Sequence, residues 1–212
     1  MAIALFWIAM FGAPIAAGYL LGSIPSGYLL GRWLAGIDLR QYGSGSTGAT
    51  NTMRVLGARG FALTFAADVL KAAAAILLAR ALVGDALGPA VAECLAAIAA
   101  IVGHNWSVFI GFAGGRGVAC SVGAMLLLYW PGALVGLLAA AILIYLTRYV
   151  SLGSIAGTLI GLIVTLTAVA QGVRPAALGV FAVATAALVI VQHRGNIARL
   201  LAGTERKIGQ RA

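Results

Sequence analysis

The chain has 212 residues, 62% of them hydrophobic and only 9% charged, with a formal net charge of +9. A water-soluble domain of this size does not carry so little charge, so lipid must be the solvent for most of it. The basic residues are dispersed among apolar segments instead of gathered on one soluble face, which argues against a nucleic-acid partner.

Lipid gives backbone amides no hydrogen-bonding partner, so apolar stretches there are helices or a closed barrel. Barrel strands alternate apolar and polar residues, whereas "MLLLYW" and "LLAAAILIYL" are apolar at every position. The expected fold is therefore all-α, a single polytopic membrane domain over residues 1–212. In chain order, the apolar segments are 2–22, 61–83, 89–110, 117–130, 132–148, 152–171 and 175–192. These make about seven transmembrane helices, of which the fourth is short for the roughly 20 residues a span needs. Gly84 to Pro89, Trp130-Pro131 and Gln171 to Pro175 supply breaks.

The first segment lacks a preceding basic region, unlike a cleaved signal peptide. If it runs inward, Arg32, Arg40, Arg54, Arg59, Arg116, Arg148, Arg194, Arg199, Arg206, Lys207 and Arg211 face the cytoplasm, and only Arg80 and Arg174 face out. That asymmetry predicts an N-terminus outside and a C-terminus inside. It also brings the polar segments 36–60, 112–117, 149–154 and 193–212 to one side of the membrane.

Along that side the chemistry appears in order. Ser23, Pro25 and Ser26 in "GSIPSG" break the first helix and free backbone groups beside the next loop. That loop, "GSGSTGATNTMR", sets Gly43, Gly45 and Gly48 among Ser44, Ser46, Thr47, Thr50, Asn51 and Thr52, with Arg54 following. Glycines at positive φ let successive N–H groups converge on an anion, a helix starting near Thr50 adds more, and Arg54 offers a guanidinium. A Walker loop would need Lys where Ala49 stands, and no βαβ unit exists to make the glycines a dinucleotide fingerprint. Phosphate is the guest these residues suit.

Asp68 and Lys71 lie three residues apart near the inner end of an apolar segment, where ionisable groups are costly. Either a mutual ion pair that orients the helix or a ligand-binding role accounts for them. His104 in "GHNWSVF" offers an imidazole to a loop backbone. The cluster "GGRG" places Arg116 among Gly114, Gly115 and Gly117, as a second phosphate grip or as a positive anchor at a helix start. Gly153, Gly157 and Gly161 repeat on one helix face, a close-packing ladder. His193 and Asn196 in "HRGNIARLL" share a face and suit a polar ligand, or else cap the last helix. Cys94 and Cys120 read as small core residues with no ligand partner at sequence spacing, so neither a disulfide nor a metal is expected. Asp38 is the only acid in the first inner loop, which again argues against a metal.

Taken together, "GSIPSG", "GSGSTGATNTMRVLG", "DVLKA", "GHNWSVF", "GGRGVA" and "HRGNIARLLAGTE" resemble, in order and along the whole chain, the PlsY family of acyl-phosphate:glycerol-3-phosphate acyltransferases. The resemblance implies seven spans and a cytoplasmic active site at the bacterial inner membrane. It implies acyl transfer from acyl phosphate to glycerol 3-phosphate, yielding lysophosphatidic acid, with membrane lipid as the only other partner and no cofactor. By motif it assigns Ser44, Ser46, Thr50, Asn51 and Arg54 to the phosphate-binding and catalytic loop, and Arg116, His193 and Asn196 to the substrate pocket. Ser44, Arg54, His193 and Asn196 are the candidate catalytic residues. Gly43, Gly45, Ser46, Gly48, Thr50, Asn51, Lys71, His104, Gly115 and Arg116 are the candidate binding residues. Two departures stand out: Ser46 replaces the family's usual Asn, and Arg116 its usual Lys. The second exchanges a point charge for a planar fork. A phosphate carrier would want similar residues, but it would place them near the midplane and not at one face.

Overall fold

A computed structural model describes residues 7–84 and 89–210, which are helical with no strand among them. A π-helical turn, Ile8–Gly12, leads into α1 (Ala13–Ser23), followed by α2 (Ser26–Ala35), α3 (Ala49–Val83) and α4 (Pro89–Asn105). Then come α5 (Val118–Thr147), α6 (Val150–Ala170), α7 (Ala176–Gln192) and α8 (Arg194–Leu201). Short 3₁₀ turns at Leu39–Gln41 and Val108–Ile110 shape the two loops that matter for the site.

α3, α5 and α6 are each long and apolar enough to cross a membrane. α7 and α8 meet that test only together, bent by 60°, and α4 is a shorter apolar helix. One expected boundary shifts. α3 starts at Ala49 instead of 61, because the glycine loop feeds a helical turn that a break at Gly57 (φ 73°, ψ −166°) sets off from the apolar part. The segments 117–130 and 132–148 run on as one apolar stretch, α5, but non-helical backbone at Tyr129 (φ −159°, ψ 82°) divides it into two helices just ahead of Pro131, where the sequence places the break. The break lets Met125 and Gly132 both meet Thr165 of α6. Residues 2–6 of the first expected segment, the 85–88 connection and Arg211 lie outside the described residues.

Small residues decide how the helices pack. A Cβ on Gly22 would run into the Ala100 carbonyl of α4, and one on Gly123 into the Val69 carbonyl of α3. The expected ladder is real: Gly157 and Gly161 face Gly136 and Gly132 of α5, where an added Cβ on Gly161 would sit 3.0 Å from the Gly132 carbonyl. Close backbone approach replaces the hydrophobic drive that lipid cannot supply. Large apolar side chains point outward instead, with Leu138 at 65% and Leu146 at 70% exposure.

α1 stops at Ser23, as Pro25 requires, and the carbonyls it leaves open are claimed from elsewhere. Lys71 donates to the Ile24 carbonyl at 2.7 Å, and the Ser107 hydroxyl donates to that of Ser23.

Candidate active site

The glycine loop is built by Asn51. Its Oδ1 accepts the Ser44 N–H at 2.8 Å, while its Nδ2 donates to the carbonyls of Ser46 at 2.8 Å and Tyr42 at 3.0 Å. Gly43 and Gly45 take φ of 63° and 72°, and a Cβ on Gly43 would strike the Asn51 side chain. Asn51 is thus buried as the loop's clamp, its hydrogen-bonding capacity spent on backbone. Ser46 is likewise a brace, accepting from the Gly48 N–H at 3.2 Å and donating to the Gly114 carbonyl at 3.4 Å. α3 begins at Ala49 behind the N-cap Gly48 with no side chain capping it; the Asn51 N–H donates to the Gly48 carbonyl at 3.0 Å, and the Ala49 and Thr50 amides stay open for an anion. Ser44 and Thr50 make no side-chain hydrogen bond among the described residues, and both line the cavity described below.

The two glycine clusters touch. Thr47 N–H donates to the Gly114 carbonyl at 3.2 Å, and the Cβ position of Gly48 lies 3.8 Å from Gly115 Cα. Gly117, at φ 81°, is the N-cap of α5, so Arg116 immediately precedes that helix. Neither Arg116 nor Arg54 has an ion-pair or hydrogen-bond partner among the described residues. Burial first, then the nearby Arg54 guanidinium, lowers the Arg116 pKa. Two free cations held near each other favour an anion between them.

At the other end, His193 stands at the bend between α7 and α8. Its Nδ1 lies 2.7 Å from the Val189 carbonyl. A carbonyl only accepts, so Nδ1 carries the proton and Nε2 is left with a lone pair. Asn196 is buried, and its amide nitrogen donates to Glu205 Oε1. Glu205 also accepts from the Ser151 hydroxyl and from Arg199 Nε, both at 2.7 Å. Burial pushes the Glu205 carboxyl up, but these hydrogen bonds outweigh it and hold the pKa below the ordinary value. The tail reaches this position because it folds back on the α5–α6 turn. There Ile208 N–H donates to the Arg148 carbonyl, and Arg148 to that of Ile208, each at 2.8 Å.

Two cavities meet at Ser44 and Arg116. One, of about 420 Å³, is polar and lined by Gly43, Arg54, Arg194, Asn196, Arg199, Glu205 and Arg206. The other, of about 320 Å³, carries Thr50, His104, Ser151 and His193, then continues between apolar helix faces past Phe65, Met125, Leu137, Ile144 and Leu162. A headgroup-sized basic basin therefore adjoins a greasy slot.

Not every expected ligand residue faces this junction. Lys71 lines neither cavity; its ammonium sits 2.8 Å from Asp68 Oδ1 and bonds the Ile24 carbonyl. The His104 imidazole meets Asp68 Oδ1 at 3.4 Å instead of loop backbone, while its main-chain carbonyl accepts the Gly115 N–H at 2.9 Å. Gly115 is buried against that ring. Cys120, which no sequence spacing pairs with anything, comes within 4.8 Å of Asp68 and His104. The Lys71 ammonium already neutralises the carboxylate of that group. Asp38 is engaged by Arg40, whose side-chain hydrogen bonds hold its pKa at about 2. Ser151, Arg199 and Glu205 escaped the sequence reading. Glu205 had left a signal, being the only acid after Glu93 and lying in a basic tail.

These features define an integral membrane protein with a basic, glycine-edged basin beside an apolar slot. The profile of the glycerol-3-phosphate acyltransferase family matches residues 13–203. A glycerol-3-phosphate acyltransferase of Thermoanaerobacter pseudethanolicus is 45% identical over 196 residues, covering 91% of this chain and 93% of its own. One of Synechococcus sp. is 46% identical over 197 residues, covering 93% and 94%. The crystal structure of PlsY, an integral membrane glycerol 3-phosphate acyltransferase, in its glycerol 3-phosphate form superposes with a TM-score of 0.82 at 36% identity, covering 92% of this chain and 94% of its own. Its lysophosphatidic acid form superposes at 0.80. The chain belongs to the PlsY family of glycerol-3-phosphate acyltransferases, multi-pass membrane enzymes.

Proposed function

We propose that the acyl donor is an acyl phosphate, and that the primary hydroxyl of glycerol 3-phosphate takes the acyl group to give lysophosphatidic acid and inorganic phosphate. The observation that carries this reading is the meeting of the two cavities at Ser44 and Arg116. An acyl phosphate is an apolar chain ending in one small anion, and that junction offers an apolar slot ending at one free guanidinium. Glycerol 3-phosphate is polar throughout, and the basin beside it is polar with Arg54 at its edge. The donor needs no nucleotide or carrier-protein surface.

In the step itself, the hydroxyl oxygen bonds to the acyl carbon while the bond from that carbon to the phosphate oxygen breaks. The open amides of α3, Arg54 and Arg116 offset the repulsion of two phosphates and stabilise charge on the leaving one. The hydroxyl proton passes either to the lone pair of His193 Nε2 or to an oxygen of the acyl phosphate. No serine hydroxyl is bonded to His193 among the described residues, and Cys120 donates to the Asp68 carbonyl, so direct transfer is favoured over a covalent acyl-enzyme. With seven crossings, an outer N-terminus and an inner C-terminus, the site opens to the cytoplasm of a bacterial inner membrane.

Detergent-purified protein incubated with acyl phosphate and glycerol 3-phosphate should form lysophosphatidic acid. Product from acyl-coenzyme A or acyl carrier protein, but not from acyl phosphate, would refute the donor. Cysteines placed at 44 and 193 should react with a membrane-impermeant thiol reagent from the same side.

A further inference from the structure

We propose that the buried series Lys71, Asp68 and His104 is a positioning unit that sets Arg116 against the glycine loop. This goes beyond the function proposed above and rests on it only for the role of Arg116 as an anion grip.

Arg116 has no protein partner of its own among the described residues, so its direction is set by the turn that bears it. That turn is held from both ends by the same cluster. On the incoming side, the Gly115 N–H donates to the His104 carbonyl at 2.9 Å, and the imidazole fills the space where a Gly115 side chain would stand. On the outgoing side, the Cys120 thiol in the first turn of α5 donates to the Asp68 carbonyl at 3.3 Å. The imidazole is held in turn by Asp68 Oδ1 at 3.4 Å, and that same oxygen meets the Lys71 ammonium at 2.8 Å. Lys71 finally ties the cluster to the broken end of α1 through the Ile24 carbonyl at 2.7 Å.

Four elements, α1, α3, α4 and the start of α5, are thus joined by one buried polar series whose free end presses on the residue before Arg116. Residues 68, 71 and 104 are each under 10% exposed, so their mutual contacts lie in low-dielectric surroundings that strengthen them. A supporting shell of this kind matters because displacing a substrate-holding group by about 1 Å can cost about 10²-fold in rate.

A double-mutant cycle between His104 and Arg116 tests this. His104→Ala should lower kcat/KM roughly 10- to 100-fold in the wild-type background. In the Arg116→Ala background it should cost less than about threefold, since the group it positions is gone. His104→Asn, which keeps a donor toward Asp68, should recover most of the loss, and His104→Leu, which keeps bulk against Gly115 but has no donor toward Asp68, carries the cycle if the alanine variant does not fold. Calorimetry with inorganic phosphate should show the same pattern, with affinity lost on His104→Ala only when Arg116 is present. An equal cost in both backgrounds, or no cost in the first, would overturn the proposal. The cycle is run on whichever acyl donor the wild-type chain accepts, so a wrong donor assignment leaves it readable.

Discussion

The amide of Asn51 and the backbone of Ser44, seven residues apart, are locked together by a 2.8 Å hydrogen bond from Ser44 N–H to Asn51 Oδ1. The same side chain holds the carbonyls of Tyr42 and Ser46. Asn51→Ala strands all three groups, at about 1–3 kcal/mol for each one that finds no other partner. The melting temperature in detergent should fall, and kcat/KM should drop about 10²-fold as the loop loses its shape. Asn51→Asp keeps the acceptor for Ser44 but places a negative charge under the anion site. It should therefore raise KM for glycerol 3-phosphate more than the alanine variant does.

Arg116 is half-buried and has no ion-pair or hydrogen-bond partner among the described residues, so its charge is free for an anion. Removing it in Arg116→Ala should lower kcat by about 10²- to 10³-fold, the usual cost of a lost anion-stabilising donor. Arg116→Lys restores the charge and should hold activity within about tenfold of the wild type, because the turn and not the side-chain fork sets where the cation lies. Steady-state kinetics on both substrates decide it.

For His193, the Val189 carbonyl fixes the proton on Nδ1 and leaves Nε2 as an acceptor. If that nitrogen takes the hydroxyl proton, His193→Ala should reduce kcat by about 10²- to 10⁴-fold with a smaller change in KM. Wild-type turnover in this variant would assign the proton to an oxygen of the acyl phosphate.

Glu205 should make the fold acid-sensitive. Its carboxyl sits below the ordinary value of 4.5 in the folded chain because Asn196, Ser151 and Arg199 favour the charged form. The stabilisation is therefore complete above that ordinary value and is lost as pH falls below it toward the folded pKa. Detergent melting curves should show the wild-type midpoint dropping through this range. Glu205→Gln should start lower at neutral pH and lose this part of the acid dependence.

Metal chelation should leave turnover unchanged. Asp68, His104 and Cys120 lie within 4.8 Å of one another, but the Lys71 ammonium is already 2.8 Å from the same carboxylate. Activity lost to a chelator and restored by zinc would refute this.

The glycine loop shows how far local reading reaches. That it would offer backbone amides at a helix start was legible, because φ tolerance and helix capping act over a few residues. That Asn51 and Ser46 would brace the loop while Ser44 and Thr50 stay open was not, since all four are polar and equally spaced for either task. The ion pair of Asp68 and Lys71 was one of two readings that helical spacing allowed, whereas His104 as its third member depends on α3 and α4 packing side by side. Ser151 and Glu205 met only because the tail returns to the α5–α6 turn.

The sequence by itself determined that this chain is an all-helical membrane protein with glycine-rich loops set beside basic residues. Hydropathy, glycine spacing and charge asymmetry act through solvent and local backbone, which need no knowledge of distant contacts. Only the tertiary structure decided which polar side chains are spent on protein partners and which are left facing the cavities. A buried donor or acceptor takes whichever partner the packing of separate helices puts in reach.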